Sequence, residues 1–154
     1  MNSNLSNLTI NILTYKTDKE ILKKCIKSID KSIAINIIEN SNKFENKDYL
    51  SDLNYNINII CTGNNLGYSG GHNYGISKVK TRYVLILNPD LICLEGYFEK
   101  IQKYLNDNVN FNIIGSQYQK DKMNKMRGCT TQLVNILSIF NNTLPVNLAI
   151  FRVR

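Results

Sequence analysis

Three apolar runs in this chain end in short polar segments whose residue types could do chemistry. The most telling run is Tyr83-Val84-Leu85-Ile86-Leu87, which leads into Asn88-Pro89-Asp90. Five apolar residues bounded by a proline read as a buried strand ending in a rigid turn. Proline fixes its own φ and biases Asn88 toward an extended backbone, so Asp90 leaves the strand in a restricted direction. In an open α/β sheet, ligands collect at the carboxyl ends of the strands. An aspartate placed there suits a hard divalent cation that also touches phosphate oxygens. The plainer reading of Asp90 is a turn residue that bonds its own backbone.

Upstream lies Asn64-Asn65-Leu66-Gly67-Tyr68-Ser69-Gly70-Gly71-His72-Asn73-Tyr74-Gly75. A dinucleotide fingerprint follows the first strand with G-x-G-x-x-G spacing; this segment follows the third and has different spacing. No Gly-Lys-Ser/Thr follows, which sets the P-loop aside. What remains is a loop entering a helix, where small residues let a ligand approach unpaired N–H groups. The alternative is a turn that needs glycine at positive φ. His72 is the single histidine of the chain and reads as a partly exposed helix residue. No serine–histidine–aspartate arrangement can be assembled around it.

The elements that must position these groups alternate. Predicted strands cover Leu8 to Leu13, Ile33 to Ile38, Ile57 to Cys61, Arg82 to Leu87 and Phe111 to Gly115. Between the first two, Thr17 or Asp18 can cap a helix with Ile21, Leu22, Cys25, Ile26 and Ile29 on its apolar face. Tyr49, Leu50 and Leu53 mark a short helix, and a further helix runs from the glycine-rich segment to about Val79. Leu94, Tyr97, Phe98, Ile101 and Leu105 have the spacing of an amphipathic helix. Such alternation predicts an α/β fold, a mostly parallel sheet covered by helices on both faces. Thr14-Tyr15, Glu39-Asn40-Ser41 and Asn88-Pro89-Asp90 then converge at one end of the sheet.

At 154 residues the chain fits one domain, and its 43% hydrophobic and 20% charged residues are ordinary for a globular protein. The net charge of +7 suits an anionic partner, but the lysines are scattered without a basic, aromatic-laced patch, so nucleic acid is not expected. Cys25, Cys61, Cys93 and Cys129 lack the close pairing of a zinc site. Cys25, Cys61 and Cys93 lie in apolar runs and read as structural thiols of a reducing compartment. The N-terminus has no signal-peptide pattern.

Taken in order, T-Y after the first strand, E-N-S-N after the second, N-N-L-G-Y-S-G-G-H-N-Y-G-I and Y-V-L-I-L-N-P-D resemble family 2 glycosyltransferases. The likeness is nearest to the rhamnosyltransferase-like branch with the GT-A fold and covers about residues 8 to 118. It implies an inverting, metal-dependent transfer of sugar from a nucleoside-diphosphate sugar to a glycan or lipid-linked acceptor, in bacterial surface polysaccharide synthesis. By the same resemblance Thr14 and Tyr15 flank the nucleobase, and Glu39, in place of the usual Asp, contacts base or ribose. Asn65, Gly67, Gly71 and Asn73 match the segment shaping the nucleotide pocket. Asn88 and Asp90 take the place of the DXD-like motif, with Asp90 binding Mg²⁺ or Mn²⁺. Lys16 and His72 each stand where the family often has Asn.

In inverting members the general base is a carboxylate in the second half of the domain, and beyond Asp121 this chain has neither Asp nor Glu. The resemblance therefore divides the chain into a nucleotide-sugar-binding part, residues 1–120, and an incomplete start of the acceptor-side half, residues 121–154. A donor-binding module without transfer activity of its own is the alternative. A nucleotidyltransferase would need a basic, glycine-rich signature after the first strand, and Thr14-Tyr15-Lys16-Thr17 has no glycine. Leu133, Val134, Ile136, Leu137, Ile139 and Phe140 give a helix-like apolar face, too interrupted to span a membrane. Residues 129–154 are expected to self-associate, to pack on a further part of the protein, or to touch a membrane interface. The expected setting is cytoplasmic, including the inner face of the cytoplasmic membrane.

Overall fold

The computed structural model of the protein describes residues 4–107, 113–120, 127–135 and 148–152, with side chains for residues 5–107. A 3-10 turn, Asn4–Asn7, precedes β1 (Leu8–Thr14), α1 (Lys19–Lys27), β2 (Ala34–Glu39), α2 (Lys47–Leu50), β3 (Ile57–Cys61) and α3 (Gly67–Ser77). Then come β4 (Tyr83–Leu87), β5 (Leu91–Cys93), α4 (Tyr97–Asp107), β6 (Ile113–Lys120), β7 (Arg127–Asn135) and β8 (Leu148–Arg152). The strands join one sheet in the order β3-β2-β1-β4-β8-β6-β7-β5. Its β3-β2-β1-β4 half is parallel throughout. Beyond β4 the sheet is mixed: β8 runs antiparallel to β4 and β6, β6 antiparallel to β7, and β5 parallel to β7.

Alternation along the strands separates two faces. Ile10 and Ile12 of β1, Ile35 and Ile37 of β2, and Leu85 and Leu87 of β4 share a core with Leu22, Cys25 and Ile26 of α1 and Ile101 and Leu105 of α4. Each fully buried aliphatic side chain there contributes roughly 1.5–3 kcal/mol. Asp18 starts α1 as expected, its carboxylate accepting from the N–H groups of Glu20 (2.9 Å) and Ile21 (3.0 Å). Ile21 itself is 44% exposed. The buried stripe runs through Leu22, Cys25, Ile26 and Ile29, and Ile21 lies on its flank in the first turn. Leu94 is likewise exposed, because α4 begins only at Tyr97.

The other face carries α3, and glycine decides how close it comes. A Cβ at Gly71 would lie 2.5 Å from Leu13 Cδ1, and one at Gly75 would lie 2.7 Å from Ile38 Cγ1 and 3.0 Å from Asn11 Nδ2. The helix backbone thus rests directly on β1 and β2. Beneath it runs a ladder of asparagines in register: Asn58 Nδ2 donates to Asn36 Oδ1 (3.3 Å), and Asn36 Nδ2 to Asn11 Oδ1 (3.0 Å). The ladder stops at Asn11, whose neighbour on β4 is Ile86, so Asn11 Nδ2 is buried without a partner. His72 is only 4% exposed, contrary to the partly exposed position expected for it, with neither ring nitrogen hydrogen-bonded. Its ring meets that of Tyr68 edge-on at 4.5 Å.

The C-terminal elements differ from expectation. Leu133 and Val134, expected on a helical face, lie in the strand β7, Arg127–Asn135, and the first residues of the proposed fifth strand, Phe111 and Asn112, lie outside the described residues. Residues 136–140 also fall outside them. A short apolar run has no period of its own that separates helix from strand. Pairing along β6 decides it. The free edge of β4 takes up β8, with Tyr83 opposite Arg152 and Leu87 opposite Leu148. Cys25 and Cys93 are buried as expected, whereas Cys61 is exposed, because it ends the edge strand β3. Among the described residues no helix is long and apolar enough to cross a membrane.

Two outcomes are expected from the packing of α3. Gly75→Ala should destabilise the fold by about 1–3 kcal/mol through overpacking against β1 and β2, seen as a lower urea midpoint. Ser69→Ala, on the exposed side, should change stability by about 0.5 kcal/mol or less. Burial lowers the His72 pKa from 6.5 to about 4. The unfolded chain therefore binds a proton at this site before the folded one does, and stability falls as pH drops from about 6.5 toward 4. His72→Leu should remove that part of the acid limb; identical pH–stability curves would refute the assignment.

Candidate functional site

Parallel register gathers the strand-end motifs on one rim. Thr14 stands opposite Glu39, Glu39 opposite Cys61, and Ile12 opposite Leu87. Asn88-Pro89-Asp90 therefore emerges from β4 at the same edge where Thr14-Tyr15 leaves β1 and Asn40-Ser41 leaves β2. Within that rim the expected residues form two groups, and two of them belong to neither.

The first group surrounds a cleft of about 560 Å³ between the segments after β1 and β2. Thr14, Tyr15 and Glu39 all line it. Glu39 is only 6% exposed, yet both carboxylate oxygens are satisfied. Thr14 Oγ1 donates to Oε2 and Ser41 Oγ to Oε1, each at 2.7 Å. Such charge-assisted bonds fix the carboxylate before any ligand arrives. Tyr15 is 46% exposed. Lys16, in the position the family often gives to Asn, adopts φ +51, a left-handed conformation that Asn tolerates better than Lys. Lys16, Thr17 and the segment 41–46 supply the rest of the lining, Lys43, Phe44 and Asn46 among it.

The second group lies where the start of α3 meets the turn after β4. Asn65 Oδ1 accepts from Gly67 N (2.9 Å), satisfying the first N–H of α3, and Gly67 takes φ +71. Asn88 O accepts from Leu91 N (3.2 Å) and from the Cys25 thiol (3.6 Å), closing the turn that presents Asp90. Tyr68 Oη donates to Asn88 Oδ1 at 3.1 Å. Burial, and after it the negative charge of Asp90, raises the Tyr68 phenol above its ordinary value. Asp90 therefore sits beside the start of α3. Gly71 is buried against Leu13, where it serves packing, and Asn73 is exposed on α3.

The residue that links the groups was not singled out from sequence. Asn40 is buried at the end of β2, and its Nδ2 donates to Asn65 Oδ1 (2.9 Å) and Gly67 O (3.1 Å). Its Oδ1 accepts from Leu66 N at 2.9 Å. Ser41 stands in the sequence only as part of the strand-end tip Glu39-Asn40-Ser41, and Tyr68 only as part of the glycine-rich segment, neither with a role of its own. The position of Ser41, two residues after Glu39, was a usable signal; the reach of Tyr68 to Asn88 exists only in the folded chain.

Among the described residues no three His, Cys, Asp or Glu side chains converge to hold a metal ion. Asp90 is exposed at the rim. A single free carboxylate fits a Mg²⁺ or Mn²⁺ whose other ligands are diphosphate oxygens and water, and does not fit a closed protein cage.

Comparison with known proteins agrees with this geometry. The chain is 35% identical over 91 residues to the low-salt glycan biosynthesis hexosyltransferase of Haloferax volcanii, covering 56% of this chain and 29% of that protein. A mannosyltransferase from Pyrobaculum calidifontis, solved in complex with GDP-Man and Mn²⁺, superposes with a TM-score of 0.65 at 10% identity, covering 95% of this chain and 44% of the other. S. aureus TarS superposes with a TM-score of 0.63 at 10% identity, over 94% of this chain and 46% of the other. The chain thus spans less than half the length of each of these three proteins, and the two superpositions identify the fold as GT-A. Residues 9–148 match the family model described as glycosyl transferase family 2, and with the sheet, the rim and its motifs in place, the chain belongs to that family.

Proposed function

We propose that the rim binds a nucleoside-diphosphate sugar and serves its inverting, metal-dependent transfer to a glycan or lipid-linked acceptor. The observation that carries this reading is the convergence of Thr14, Glu39, the start of α3 and Asp90 on one edge beside an open cleft. Thr14, Tyr15 and Glu39 take the nucleoside end. Glu39 accepts hydrogen bonds only, so it suits a base N–H or a ribose hydroxyl. Asn65 and Gly67 shape the entrance to α3, with Gly71 setting its height above the sheet, while Asn73 stands on its exposed side. Asn88 and Asp90 take the diphosphate and sugar, and Asp90 would hold Mg²⁺ or Mn²⁺. A cation bound there neutralises negative charge developing on the leaving diphosphate. The glycan chemistry named for the Haloferax relative and the GDP-Man and Mn²⁺ of the Pyrobaculum structure support the same reading. Surface polysaccharide synthesis at the inner face of a bacterial membrane is its proposed setting.

A second reading rests on one observation: residues 122–154 include no Asp or Glu side chain to deprotonate an acceptor hydroxyl. Under it the 154-residue chain binds donor and transfers nothing by itself. Sugar turnover by the purified chain would eliminate that reading.

Calorimetry with UDP, dTDP and GDP in the presence of Mn²⁺ tests the main proposal, and a folded protein that binds none of them sinks it. Asp90→Ala should weaken Mn²⁺-dependent binding tenfold or more, on the order of 1.4 kcal/mol, at an unchanged melting temperature. Unaltered affinity would remove Asp90 from the site. Glu39→Gln should cost about 1.5–3 kcal/mol of binding, the worth of a charged hydrogen bond, and affinity equal to the parent's would exclude a direct ligand contact.

A further inference from the structure

The cleft at the ends of β1 and β2 has two walls of different make. One is the segment after β1, with Tyr15 and Lys16. The other is residues 41–46 after β2, which begin with the last two residues of the E-N-S-N motif and run on past it. Each wall has one aromatic residue among those that line the cleft, Tyr15 on one and Phe44 on the other. The rings are not equivalent. Tyr15 is largely exposed, and the Lys16 ammonium stands 5.5 Å from its ring centroid, a cation–π contact that occupies one of its faces. Phe44 is half-buried and packs against the hydrophobic core, so its ring is held from behind.

The Phe44 wall is also braced at several points. Ser41 Oγ donates to Glu39 Oε1 at 2.7 Å and accepts from Lys43 N at 3.4 Å. Gly63 N donates to Ser41 O at 3.0 Å, tying the segment to the end of β3. Asn46 Nδ2 donates to Thr17 O at 3.4 Å, joining the two walls. A wall fixed in this way loses little freedom when a ligand enters. A flat aromatic ring beside a carboxylate that can accept from a ligand's N–H or O–H is a nucleobase-binding arrangement: the ring stacks and the carboxylate orients.

We propose that Phe44 is the stacking platform for the nucleobase of the donor, with residues 41–46 forming a preformed wall of the base pocket. This deepens the donor-binding reading and rests on it. Stacking is tolerant of base identity because every base has a π-face. Phe44 therefore sets affinity for the nucleoside, and discrimination among bases falls to hydrogen-bonding groups such as Glu39.

The chain contains no tryptophan, so Phe44→Trp creates a single emission reporter inside the cleft. Its fluorescence should be quenched on titration with whichever of UDP, dTDP or GDP binds the parent protein in Mn²⁺. Phe44→Ala should weaken that nucleotide about tenfold, as expected for loss of one stacked base, and leave inorganic pyrophosphate binding unchanged. Phe44→Leu keeps the apolar packing and should lose several-fold as well, which covers the case in which the alanine variant does not fold. Folded Phe44 variants with parental affinity and an unquenched Phe44→Trp, or an effect seen only in Tyr15→Ala, would overturn the assignment. A parent protein that binds no nucleotide would overturn the donor-binding reading itself, and this proposal with it.

Discussion

Asn40 lies at the end of β2 with its carboxamide turned toward the loop that opens α3, and every part of that amide is engaged. It donates to Asn65 Oδ1 and Gly67 O and accepts from Leu66 N–H. A buried amide left unpaired costs about 1–3 kcal/mol, so this loop cannot drift away from the strand without penalty. Through Asn65, the same contact satisfies the first N–H of α3. The position of the helix start, and with it Tyr68 and the side of the rim that faces Asp90, follows from one side chain on the neighbouring strand.

Glycine completes what Asn40 begins. Gly71 and Gly75 bring the helix backbone onto Leu13, Ile38 and Asn11 at distances no Cβ would permit. The glycine-rich segment thus serves packing in its second half and the rim in its first. Gly67, with positive φ, belongs to the rim. Burial in this packed layer takes His72 away from water, and that favours its neutral imidazole.

The two groups of the rim suit different parts of one extended anionic ligand. Around the cleft, an aromatic wall and a pre-bonded carboxylate offer stacking and acceptor contacts. Near α3 and β4, a free carboxylate, a phenol and a helix start face solvent. Asn40 stands between them, its backbone N–H bonded to Thr14 O on one side and its amide to Asn65 and Gly67 on the other. That the two groups share one parallel sheet keeps their spacing rigid.

Much of this was legible beforehand. The α/β alternation, the Asp18 cap, strands β1 to β4 and the strand-end placement of Thr14, Glu39 and Asp90 follow from local rules: period-2 burial, capping chemistry and the effect of proline on its neighbours. Those rules act over a few residues, so one sequence suffices to apply them. Contacts between distant segments obey no such local rule. The Asn40 amide, the Tyr68–Asn88 bond and the Phe44 wall depend on which loops the parallel register sets side by side. The same holds for the late chain: residues 127–135 became a strand because β6 offered a pairing edge, and β8 entered the sheet because β4 had one free. An apolar stretch does not announce its partner, and only the assembled sheet decides which edge it joins.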